Sequence, residues 1–118
     1  MSRTRRNDAV QALLPLKPLE FSILVALAEG ESYGYGIVKR IGERSGGSVR
    51  LAPGNLYQVL DRLINAGLIE PLEVEDEERR RWYGLTSFGR RVASAEAARL
   101  RELMETVESL DLLPEAGR

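Results

Sequence analysis

The sequence contains neither cysteine nor histidine. A disulfide framework and a thiolate metal site are therefore impossible, and nothing points to an oxidising compartment. Without imidazole or thiol, catalysis would fall to carboxylates, lysines and tyrosines. Those residues form no paired-carboxylate site, phosphate loop or metal-ligand set, so no catalytic residue, metal or cofactor is expected and the chain does not read as an enzyme. Long hydrophobic runs are missing too, and nothing approaches the roughly 18 apolar residues of a membrane span. The start, Met1 to Asp8, is basic and polar with no apolar stretch behind it, unlike a secretory signal. A cytoplasmic protein with no membrane partner is expected.

What is present is a balance of 43% hydrophobic and 30% charged residues over 118 positions, which suits one soluble domain. The net charge of −1 is unusual for a nucleic-acid binder, but its distribution is uneven. Residues 1–72 carry nine Lys/Arg against seven Asp/Glu, residues 73–86 three against five, and residues 87–118 five against six. Arginine supplies nearly all the cations, and its planar fork suits bidentate contacts to phosphate and guanine.

Arg3, Arg5 and Arg6 open a basic arm assigned to residues 1–15. Leu19, Ile23, Leu24, Ala26 and Leu27 then recur at helical spacing up to Gly30. Ser32 is suited to cap a second helix, with Ile37, Val38 and Ile41 inward and Lys39, Arg40 and Arg44 outward, ending at Ser45-Gly46-Gly47. Ser48 to Leu51 reads as one short strand. Pro53 begins a third helix whose inner face is Leu56, Leu60, Leu63 and Ile64, closed by Gly67. Leu68 to Glu75 and Arg79 to Thr86 read as a hairpin around the acidic tip Asp76-Glu77-Glu78, which lacks the usual glycine. Thr86 or Ser87 caps a last helix running to about Leu113, where Pro114 stops it. Three helices, a hairpin and a long helix make a mainly α winged helix-turn-helix with a small β-hairpin wing. The domain is assigned to residues 16–86, and the C-terminal helix and tail to residues 87–118.

A rotation of about 100° per residue turns Gly54, Gln58, Arg62 and Asn65 outward on the third helix, with Asn55 at the edge. Gln and Asn pair bidentately with adenine and Arg with guanine, so this face is suited to a major groove. It is equally the face of an ordinary solvated helix, and Asp61 would repel phosphate. Lys39 and Arg40 are placed for backbone phosphates, as is Tyr57, whose hydroxyl sits on the flank of the third helix. Arg79, Arg80 and Arg81 in the wing either meet phosphates or pair with the carboxylates of Glu73 to Glu78. Trp82 reads as a packing residue or, less simply, as part of an aromatic ligand pocket.

On the last helix Ala93, Ala97, Leu100, Met104 and Val107 step by four and three, and Leu103 and Leu110 widen the stripe. At about 24 residues this helix would run about 36 Å, longer than so small a domain covers, so part of the stripe is expected to meet a second copy. A twofold dimer would match a palindromic double-stranded operator. The competing reading is a winged helix that binds protein rather than DNA, motivated by the acidic wing and the net charge.

Three segments resemble the PadR family of bacterial transcriptional regulators, specifically its short members with one C-terminal helix. They are Tyr33-Gly34-Tyr35-Gly36-Ile37, then Pro53-Gly54-Asn55-Leu56-Tyr57 with Arg62-Leu63 and Gly67-Leu68-Ile69, and Arg79-Arg80-Arg81-Trp82-Tyr83 with Leu85-Thr86 and Gly89-Arg90. The resemblance implies a homodimeric repressor, sometimes released by a small aromatic or drug-like effector near the dimer interface. It also implies DNA contacts from Tyr35, Asn55, Tyr57 and Arg62. The chain departs from the family pattern at Gly36, often acidic, at Asn55, often Thr or Ser, and at Trp82, often Tyr. No aromatic follows Phe88 on the last helix, so an effector would find no ring to stack on there.

Overall fold

A computed structural model describes residues 8–48 and 53–115. Helix α1, Pro18–Ala28, opens with proline at its first position, where a missing N–H costs nothing. It is apolar on most sides because it is central: it packs against the second helix, the third strand and the last helix. Ile23 and Leu24 are completely buried within it. Strand β1, Ser32–Tyr33, leads into helix α2, Gly34–Arg44. Helix α3, Pro53–Asn65, strands β2, Ile69–Leu72, and β3, Trp82–Leu85, and helix α4, Ser87–Ser109, complete the order. The sheet is antiparallel in the order β1-β3-β2, with Tyr33 and Leu72 both opposite Trp82 and Ile69 opposite Leu85. Ile37, Leu60, Leu63, Leu68, Ile69 and Val92 close a single core between helices and sheet. This is the winged-helix arrangement with a C-terminal helix appended.

Helix ends follow local chemistry. Gly67 at φ +78° ends α3, its N–H bonding to the Ile64 carbonyl and that of Leu68 to the Leu63 carbonyl, the double bond of a Schellman motif. The same motif ends α4 earlier than expected, because Asp111 takes the left-handed conformation at φ +57°. There Asp111 N–H bonds to the Glu108 carbonyl and Leu112 N–H to the Val107 carbonyl. Thr86 caps α4, its hydroxyl oxygen accepting from Gly89 N–H at 2.8 Å.

Other expectations change. Ser32 does not cap α2: it is buried in β1, and its hydroxyl donates to the Tyr33 carbonyl at 3.0 Å. A β-carbon at Gly36, where the family often has an acid, would require that hydroxyl to rotate away. The hairpin strands are shorter than the apolar pattern suggests, since residues 73–81 are given over to the tip. Ser48 lies outside any strand, and the rest of the expected strand, like Arg3, Arg5 and Arg6, falls outside the described residues. Residues 8–15, assigned to the arm, join the domain: Val10 is buried in the core and residues 8–11 form a helical turn.

That N-terminal segment is held by a group the sequence pattern did not single out. Glu96, only 2% exposed, accepts from the Leu16 backbone N–H at 3.2 Å and from Arg99 Nε and Nη2 at 2.6 and 3.0 Å. The Arg99 guanidinium outweighs the burial that would raise it and holds the Glu96 carboxyl below its ordinary value. At the start of α4, a β-carbon on Gly89 would collide with the Leu68 carbonyl, so only glycine lets the helix sit this close to the end of α3.

A carboxyl whose folded pKa is lowered contributes stability above its unfolded value and loses it as pH falls through the folded one. Glu96→Gln should therefore cost about 1–3 kcal/mol near neutral pH, measured by urea denaturation. The gap to the parent should be constant above about pH 5 and shrink below about pH 4. An unchanged gap at low pH would remove the charge from the account.

Candidate nucleic-acid interface

Three elements converge on one side of the domain: the N-terminus of α2, the outer face of α3 and the wing. Gly34 is where they cross, since a β-carbon there would stand 3.3 Å from Leu56 Cδ2 and 3.5 Å from the Tyr57 hydroxyl. Between them lies a cleft of about 310 Å³, lined by residues that include Tyr35, Tyr57, Glu78, Arg80 and Arg81. Tyr35 and Tyr57 are 70% and 52% exposed, so both rings and hydroxyls are open to a partner.

On α3, Leu56, Val59, Leu60 and Leu63 are buried, and Gly54, Asn55, Tyr57, Gln58, Asp61, Arg62 and Asn65 are exposed. The outward face is thus the one the periodicity predicts. Arg62 leans towards α1, its Nε 3.6 Å from Glu20 Oε2, with over half of its side chain still exposed.

The wing is ordered around Asp76, whose side chain is only 6% exposed. Its carboxylate accepts from Arg80 Nε at 2.7 Å, Trp82 Nε1 at 2.8 Å and the Glu78 N–H at 3.0 Å, while its carbonyl accepts from the Arg79 N–H at 2.9 Å. Arg79 takes the left-handed turn position, φ +57°, that glycine would usually fill. The Arg80 guanidinium lies 3.9 Å above the centre of the Tyr33 ring and also meets Glu78 at 3.2 Å. Tyr33 in turn packs edge-on against Trp82 at 5.4 Å. Hydrogen bonds from Arg80 and then Trp82 hold the Asp76 carboxyl well below the usual carboxylate range. Asp76 was not among the expected site residues; its signal was the spacing of Asp76, Arg80 and Trp82 within seven residues.

Two arginines expected at phosphates are instead engaged within the chain. Arg80 is held by Asp76, Glu78 and Tyr33 as just described. Arg40 donates to the Ala26 and Gly30 carbonyls at 2.9 and 2.8 Å and reaches Glu31 O at 3.4 Å, so its charge meets the carbonyl end of α1. Arg44, which faces outward, pairs with Glu29. Lys39 and Arg79 remain exposed on the surface, and Arg81 is exposed while hydrogen-bonding the Tyr83 side chain. No group of His, Cys, Asp or Glu able to hold a metal occurs among the described residues. No helix among them is long and apolar enough to cross a membrane.

The family model of the transcriptional regulator PadR-like family matches residues 23–95, which span α1 to the first half of α4. The chain belongs to the PadR-like family. This is a family of transcriptional regulators rather than enzymes. A transposon-encoded protein of Streptomyces fradiae is 41% identical over 99 residues, covering 84% of this chain and 25% of that protein. The chain therefore spans a quarter of that relative's length. A transcriptional regulator of Clostridium thermocellum superposes with a TM-score of 0.68 at 25% identity, covering 86% of this chain and 93% of its own. The PadR protein of Bacillus subtilis, solved in complex with operator DNA, superposes with a TM-score of 0.59 at 25% identity, covering 67% of this chain and 46% of its own.

In this PadR-like chain the apolar stripe of α4 divides in two. Ala93 packs on the chain's own core, while Ala97, Leu103, Met104 and Leu110 are exposed and Leu100 and Val107 half-buried. Beyond Glu96 no residue of α4 is buried.

Trp82 is the single tryptophan, so its emission reports the wing directly. Asp76→Asn should weaken its bonds to both Arg80 and Trp82, shifting the emission to the red with little change in the melting temperature of the domain. An unshifted spectrum would mean that Asp76 does not hold the wing.

Proposed function

We propose that this PadR-like regulator is a homodimeric, sequence-specific DNA-binding repressor. The observation that carries the reading is the exposed polar face of α3, beside the cleft that Tyr35 and Tyr57 line together with Glu78, Arg80 and Arg81 of the wing. In this reading Gly54, Asn55, Gln58 and Arg62 face base edges in the major groove, and Tyr35, Lys39, Tyr57, Arg79 and Arg81 meet phosphates. Arg40 and Arg80 act indirectly, by fixing α1 and the wing. The likeness to Bacillus subtilis PadR, solved with operator DNA, supports the same surface. An effector, where one acts, would be held by aliphatic side chains on α4.

The dimer is proposed through Ala97, Leu100, Leu103, Met104, Val107 and Leu110, since an apolar row of this length is not left in water without a partner. Two reading helices related by a twofold would then address a palindrome. The protein-binding alternative needs an excess of carboxylates on the reading face. That face carries only Asp61, against Arg62, and two acids of the wing are committed to Arg80.

Fluorescence anisotropy on the DNA upstream of the protein's own gene, against a scrambled duplex, tests the reading. Tighter binding to the native fragment is expected, with log affinity falling against log salt by about 0.9 per phosphate engaged. Arg62→Ala should relax preference at one base position by about 1–3 kcal/mol. No binding to either duplex at low salt would favour the protein-interaction module. Leu103 is 51% exposed, so Leu103→Asp should barely affect the isolated chain. It should nevertheless give monomers in sedimentation velocity and weak operator binding; a persistent dimer would sink the α4 assignment.

A further inference from the structure

Arg62 is the single cation of α3 and stands on its outward face. Among the described residues its side chain has one partner, Glu20, in the first turn of α1, and Glu20 has no other. The two members of this pair are unequally open, the arginine side chain being 53% exposed and the glutamate side chain 17%. We infer that Glu20 is a specificity-determining positioning residue: it holds the Arg62 guanidinium ready for guanine and away from backbone phosphate. The inference deepens the DNA-binding reading above and rests on its assignment of Arg62 to base edges.

Approach, burial and charge support this role. The nearest approach is at Arg62 Nε, 3.6 Å from Glu20 Oε2. Nε carries one of the guanidinium's five N–H donors, which leaves those of Nη1 and Nη2, and a bidentate contact to guanine O6 and N7 uses two. A free arginine loses much rotamer freedom when it reaches a base, and a contact that restricts it beforehand lowers that cost. Glu20 is the fixed member of the pair, because it is the more buried and its charge suits the N-terminal turn of α1. If Arg62 swung onto a phosphate, a carboxylate largely withdrawn from water would lose its partner beside a second negative charge. The pair therefore disfavours the backbone contact, which conveys no sequence, relative to the base edge, which does.

Selection from a randomised duplex library, with the bound fraction sequenced, gives the base preference at every position for the parent, Glu20→Gln and Arg62→Ala. Arg62→Ala should flatten the preference at one position of each half-site. At that same position Glu20→Gln should lower the preference for guanine about two- to fivefold, the span of an exposed ion pair. The other positions and the melting temperature should stay those of the parent. On a scrambled duplex Glu20→Gln should bind more tightly than the parent, with a salt slope steeper by about 0.9 for each phosphate that the released Arg62 gains. Added to Arg62→Ala, Glu20→Gln should change neither the base preference nor the salt slope. A Glu20→Gln profile identical to the parent's, or a fall in preference spread over all positions, overturns the inference and leaves the DNA-binding reading standing. An Arg62→Ala profile identical to the parent's overturns both the inference and the placement of Arg62.

Discussion

The carboxylate of Glu96, buried midway along α4, accepts at once from the Leu16 amide and the Arg99 guanidinium. A buried carboxylate is costly unless its charge is matched and its lone pairs are used. Here three donors meet it, and the bond to Leu16 ties residues 80 positions apart. With Gly89 wedged under the Leu68 carbonyl at the start of the helix, it fixes both the position and the direction of α4. Everything beyond Glu96 projects from that anchor. The geometry of any second copy relative to the α3 face is therefore set where α4 leaves the domain.

The same economy of charge governs the surface proposed for DNA. An arginine beside free carbonyls or a carboxylate is drawn to them, because its fork satisfies several acceptors in one plane. Arg40 closes the carbonyl end of α1, and Arg80 is gathered into the Asp76, Tyr33 and Trp82 cluster. These side chains give shape to the interface without extending from it. What remains outward is a small set, Lys39, Arg62, Arg79 and Arg81, beside two exposed tyrosines. A chain with net charge −1 can thus present cations locally, since two acids of the wing, Asp76 and Glu78, are paired with Arg80 and six more lie on α4 and its tail.

Much of the architecture was legible from periodicity, because a helix repeats every 3.6 residues whatever it packs against. Leu56, Leu60 and Leu63 had to share a face, which committed Asn55, Gln58 and Arg62 to the other side. Thr86 as a cap and Gly67 as a stop followed from chemistry within four residues of each. Ser32 misled because its residue type suits a cap and equally a short strand; pairing with Tyr83, some fifty residues on, decided between them. Val10 and Leu16 belonged to a segment too short to show a period, and only the core they join reveals their role.

Sequence alone therefore determined the order of elements, the inner and outer faces of the helices, the uncovered stripe on α4 and the family resemblance. Those properties depend on spacing along the chain. Tertiary structure alone decided which arginines are drawn back onto carbonyls and carboxylates, that Asp76 is the centre of the wing, that Glu96 is buried and paired, and that the groove between α1 and α2 lies open. Polar side chains choose among acceptors by distance in space. For Arg40 and Glu96 the chosen partners lie far away in sequence, where no local pattern reaches.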